Sequence, residues 1–146
     1  MGSSPSTSHR LPLALAVIWL LTTTCSLLAA PVLIATVPYW HEVRGYLQQL
    51  GLWQTWVSVV ACVGLLALSR RKYAETEERW AQGALPIYVL GGMVTAIALN
   101  YGVLPLWLAH PASWLKMAQL LGLMLLHWCC ALLAWRSLWH HHQQAA

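Results

Sequence analysis

Residues 11–37 read LPLALAVIWLLTTTCSLLAAPVLIATV and contain no charged side chain. A helix needs about 20 mostly apolar residues to cross the hydrocarbon core of a bilayer, and this run exceeds that length. Pro31 cuts it and Pro38 closes it. It begins like a secretory signal, with His9 and Arg10 ahead of an apolar stretch, but Val32-Leu33-Ile34 continue it past any Ala-rich cleavage site. That length favours a retained helix. Leu21-Thr22-Thr23-Thr24-Cys25 is a poor lipobox, and the Met1-Gly2…Ser6 myristoylation pattern is short and of little weight.

Outward from this run the chain repeats the pattern. Apolar spans are expected at 11–37, 50–69, 85–108 and 117–135, between a segment at 1–10 and a tail at 139–146. Pro86 suits a first helical turn. Pro105 is placed to end or kink the third helix, and His110-Pro111 makes a turn. Composition agrees: the chain is 59% hydrophobic and 8% charged, against about 25% charged in soluble domains. So few charges, with a net +4, exclude a phosphate-tracking nucleic-acid surface. The expected fold is an all-α membrane protein, a four-transmembrane-helix antiparallel bundle. The bilayer is its first partner. Further membrane-protein subunits or a second copy of itself come next, and nucleic acid does not figure.

Orientation follows from the Lys/Arg bias of loops. Arg10, Arg70, Arg71, Lys72, Arg79 and Arg136 lie on one side, Arg44 and Lys116 on the other. Both termini are therefore expected in the cytoplasm. Tyr39, Trp40, Tyr46, Trp53, Trp56, Tyr101, Trp107 and Trp114 fall toward the outer interface, and Tyr73, Trp80, Tyr88, Trp135 and Trp139 toward the inner one. These read as interfacial anchors. Trp19 and Trp128 sit within the hydrocarbon. Arg71, Glu75 and Arg79, spaced by four, support a helical extension with paired charges.

Polar side chains inside spans carry the functional question. Thr22 to Ser26 can bond their own helix backbone. Gln54 and Thr55 read as interfacial, while Ser58 and Cys62 share a face. Gly91-Gly92 with Thr95 and Ala96 form a small-residue packing face. His127 is the sharpest feature: it lies about 15 Å into its helix, near the bilayer midplane. It serves either as interhelical glue to Asn100 or to a Thr of the first helix, or as a haem ligand, copper ligand or proton carrier. Cys25, Cys62 and Cys129 fall at similar depths, but no CxxC or MxxM spacing marks a Cu(I) site. Adjacent Cys129 and Cys130 point about 100° apart. The sequence contains no Asp, no nucleophile–base pair, no P-loop and no dinucleotide fingerprint. Enzyme chemistry is not expected.

Ala30-Pro31-Val32-Leu33 ahead of Pro38, Asn100 with Pro105, and His127 together resemble a family of small four-helix membrane proteins of unknown function. That family belongs to the CopD/HemJ-like superfamily and includes a cisplatin-resistance-associated transmembrane protein. Lys116 and His127, eleven residues apart, are similar to a Lys…His pair in the last helix of HemJ-type proteins. The resemblance implies a bacterial inner-membrane protein with candidate cofactor-binding residues His127, Lys116 and Asn100 and haem b as the candidate cofactor. The first-helix histidine of HemJ-type proteins has no counterpart here, since His9 precedes that helix and His41 follows it. Two readings result. One is a non-catalytic accessory or interaction subunit. The other is a haem- or copper-handling redox protein built on His127. A small transporter is a third, weaker option.

Overall fold

A computed structural model describes residues 10–76 and 84–145. All regular structure in it is helical: α1 (Arg10–Thr36), α2 (Trp40–Thr76), α3 (Leu85–Ala98), a π turn (Leu99–Val103), α4 (Leu104–Ala109) and α5 (Trp114–Ala145). The π turn joins α3 and α4 into one span, so four helices are long and apolar enough to cross a membrane. This suggests a multi-pass integral membrane protein. The positively charged stretch after Arg70 falls mostly outside the residues whose side chains are described. Backbone helix nevertheless continues to Thr76. Arg79 and the segment 1–9 lie outside the described residues.

Pro31 sits differently from expectation, and of the two effects expected of Pro105, ending or kinking the span, the first does not occur. Pro31 does not cut α1, which runs through it to Thr36. The helix loses one backbone donor there, and Leu27 loses the N–H its carbonyl would meet. Pro105 does not end the third span either. Its ring crowds the carbonyl four residues earlier, that of Tyr101, and Tyr101 lies within the widened π turn. The Leu104 N–H accordingly reaches back five residues to the Leu99 carbonyl. The helix then continues to Ala109. The second helix begins at Trp40, not near 50, because residues 39–43 already close a helical turn from the Tyr39 carbonyl to the Val43 N–H at 3.1 Å. His110 to Ser113 form the expected turn, closed by the Ser113 N–H on the His110 carbonyl at 3.1 Å.

Packing divides the interior into two clusters. One joins Ala16 and Trp19 of α1, Ala61, Cys62 and Leu65 of α2, Leu85 and Val89 of α3, and Ala131, Ala134 and Leu138 of α5. The other joins Val43 and Leu47 of α2, Trp107 and Leu108 of α4, and Leu120 of α5, with Ala30, Leu33 and Val37 of α1 against them. Large apolar side chains such as Leu28, Val60, Val94 and Leu125 face outward from all four spans, as lipid requires. Trp53, Trp56 and Trp114 are exposed, consistent with anchoring. Trp107 is not: it is 5% exposed and belongs to the core, edge-on to Trp40.

Small residues set the closest approaches. A Cβ on Gly92 would run into the indole of Trp19, and one on Gly91 would stand 3.3 Å from the Cys130 sulfur. With Thr95 and Ala96 also buried, the small-residue face of the third span is where α5 packs and where the Trp19 indole reaches across from α1.

Candidate functional site: an intramembrane histidine and a lined cavity

Between the two clusters lies a polar network contributed by all four spans. His127 of α5 is 2% exposed and forms its centre. Its Nδ1 lies 2.9 Å from the Gly92 carbonyl oxygen and 3.0 Å from Thr95 Oγ1. A carbonyl only accepts, so Nδ1 carries the proton. On the other edge, Trp19 Nε1 points at Nε2 from 3.3 Å. An indole N–H only donates, so Nε2 is the acceptor and the imidazole is neutral. Ser58 Oγ sits 3.2 Å from the same nitrogen. The Trp19 ring stands edge-on to the imidazole, with centroids 5.7 Å apart.

The donors and acceptors behind these contacts are consistent with one another. Thr23 Oγ1 gives its proton to the Trp19 carbonyl at 2.7 Å, so it accepts from Gln54 Nε2, also at 2.7 Å. Gln54 Nε2 donates to Ser58 Oγ at 3.1 Å, and Gln54 Oε1 accepts from Ser26 Oγ at 2.9 Å. Ser58 therefore keeps its own proton for His127. The result is a directed chain from Ser26 through Gln54, Ser58 and His127 to the Gly92 carbonyl. It ends on a backbone acceptor that cannot pass a proton on. Trp128 Nε1 adds a further link from α5 to Thr24 of α1 at 3.0 Å.

This arrangement differs from expectation in its partners. His127 is glue, but to Trp19, Ser58, Thr95 and Gly92. Asn100 makes no hydrogen bond to it. Gln54 is not interfacial in role, because its amide is spent inside the bundle. The signal for it is the four-residue spacing of Gln54, Ser58 and Cys62, which puts all three on one helix face. Trp19, Thr23 and Ser26 carry the matching spacing on α1.

Beside the network a cavity of about 400 Å³ opens among the spans. Thr23, Ser26, Gln54, Thr55, Asn100 and His127 supply its polar wall, and aliphatic residues such as Leu27, Ala30, Leu99, Leu120 and Met124 the rest. Its rim includes exposed Pro31, Ile34 and Ala35 of α1 and exposed Met117 and Leu121 of α5. The opening thus lies between those two helices. Asn100 reaches the cavity from the π turn and packs over Gly51, where an added Cβ would stand 2.9 Å from Asn100 Oδ1. The cavity brings His127 and Asn100 onto one wall. Lys116 is absent from that wall, and it lies three turns of α5, about 16 Å of helix rise, from His127.

The donor set does not fit haem b or copper. An axial ligand must offer an imidazole lone pair to the metal, and the one on Nε2 already receives Trp19 and Ser58. Among the described residues no three His, Cys, Asp or Glu side chains converge to hold a metal ion. Cys62 is buried while Cys25 and Cys129 are exposed, so the thiols do not meet at one site. No protein-family model, curated protein or solved structure matches the chain.

Proposed function

We propose that this chain is a non-catalytic membrane protein that acts by binding: an accessory or interaction subunit of a bacterial inner-membrane assembly. The observation that carries the reading is the complete internal satisfaction of His127. Its two nitrogens tie α1, α2, α3 and α5 together, and neither is left for a substrate proton, an iron or a copper. A membrane-buried polar cluster that is fully hydrogen-bonded within the protein is an interhelical clamp. The links at 37–39 and 110–113 are short. Among the described residues the surfaces open to a partner are therefore mainly the helix faces.

In this reading the four spans form an antiparallel bundle with both termini in the cytoplasm. The two packing clusters support the first point, since each joins the beginning of one helix to the end of the next. The bias of Arg and Lys supports the second. The inner-membrane placement follows the resemblance carried by Ala30 to Leu33, Asn100 and His127.

Purification in a mild detergent tests the reading. The chain is expected to migrate in a complex with another membrane protein, and to lose thermal stability when stripped from it. A stable lone monomer would overturn the subunit assignment. A haem band in the reduced-minus-oxidised spectrum that disappears in His127→Ala would overturn the clamp.

A further inference from the structure

The cavity has a property the clamp does not explain. Thr23, Ser26, Gln54, Thr55 and His127 on its wall are all hydrogen-bonded within the protein. Asn100 on the same wall has no hydrogen-bond partner among the described residues. An amide at membrane depth without a partner is costly. It also offers both a donor and an acceptor.

Two further features point the same way. Asn100 sits in the π turn (Leu99–Val103), a distortion that recurs at functional sites. Leu27 and Pro31 line the cavity as well, and Pro31 deprives the Leu27 carbonyl of its helical donor. Trp107 lines it through its ring, while its indole N–H, which meets no acceptor among the described residues, is buried away from the open space. The unspent hydrogen-bonding capacity that faces this space is therefore centred on Asn100.

Size and charge narrow what it takes. A cavity of about 150 Å³ holds benzene. By that ratio, about 400 Å³ accepts roughly sixteen non-hydrogen atoms. Among the described residues no Lys, Arg, Asp or Glu lines it. A carboxylate, phosphate or ammonium would enter without a counter-charge, which low-dielectric surroundings oppose. The opening between α1 and α5 lies amid outward-facing apolar side chains, which favours an apolar ligand arriving from the lipid side.

We propose that this cavity is a lipid-facing binding site for one uncharged amphiphile, whose hydroxyl or carbonyl oxygen is held by Asn100 while its apolar body lies along α1 and α5. The proposal stands apart from the subunit reading, because it needs no partner protein and its test reads a small molecule.

The test uses the full chain in phosphatidylcholine vesicles, photolabelled with an alkyl-diazirine analogue of 1-dodecanol and mapped by peptide mass spectrometry. Label is expected on residues 27–35 and 117–124. Excess 1-dodecanol should displace it at least about tenfold more effectively than dodecane or dodecanoate, the equivalent of one well-made hydrogen bond to a buried group. Asn100→Leu should abolish that preference without shifting the unfolding midpoint. If Asn100→Leu does not fold, Leu121→Trp at the exposed rim should block labelling by bulk alone. Competition by 1,4-naphthoquinone distinguishes the head group. Displacement by it assigns a carbonyl-bearing ring, and displacement by the alcohol alone assigns a hydroxyl. Equal displacement by dodecane, label spread evenly over the outward faces of all spans, or a preference that survives Asn100→Leu would each overturn the proposal.

Discussion

His127→Leu keeps the side-chain volume nearly unchanged and removes both ring nitrogens. The consequences differ among the four partners. Thr95 Oγ1 still reaches the Gly91 carbonyl at 2.8 Å. Ser58 is free to turn its proton to a carbonyl of its own helix. The Gly92 carbonyl keeps its place in the helix ladder. Trp19 alone has no alternative: it is 0% exposed, and its N–H is left without an acceptor. An orphaned buried donor costs about 1–3 kcal/mol. Trp19→Phe removes the donor instead, while His127 Nε2 retains Ser58, so its main cost is lost packing against Gly92. The double variant contains neither the donor nor the acceptor. It should therefore be more stable than the sum of the single losses implies. Coupling energies between polar side chains in membrane bundles average about 0.6 kcal/mol and reach about 1.7. Complete burial of the indole places this pair toward the upper end, above about 1 kcal/mol. Equilibrium unfolding of the four proteins by SDS in mixed micelles, followed by far-UV circular dichroism, measures it. Losses that add to within about 0.3 kcal/mol would mean that the Trp19–His127 contact carries no energy, and the clamp argument would fail with it.

Other expectations follow from the same geometry. Gly92→Ala drives a methyl into the fully buried Trp19 ring and should destabilise the bundle by about 1–3 kcal/mol. Gly122→Ala meets nothing within 4 Å and should be neutral or slightly stabilising, by up to about 1 kcal/mol; SDS unfolding compares the two directly. Gln54→Leu removes the donor to Thr23 and Ser58 and the acceptor of Ser26 and should lower stability by about 1–2 kcal/mol, whereas an interfacial glutamine would tolerate the change. A fluorescent reporter fused after residue 146 that lights only in the cytoplasm should be bright. A dark reporter would sink the four-span orientation with termini inside.

Much of the architecture is determined locally. An uncharged run such as 11–37 has one stable form in hydrocarbon, because every backbone polar group must be satisfied within the segment. Span number, the turn at His110-Pro111 and the central burial of His127 follow from that constraint and from composition. What an interior proline does is not local. Pro31 and Pro105 are tolerated because neighbouring helices hold their spans together, so α1 continues and the third span widens into a π turn. Partner choice is also tertiary. His127 and Asn100 are equally polar in sequence, yet one is fully hydrogen-bonded and the other faces a cavity. The difference is set by which helix faces meet: Gly92 admits Trp19 to His127, and the π turn carries Asn100 past it to Gly51. Spacing along one helix says which side chains share a face. Only the packing of four helices says what that face finds opposite it.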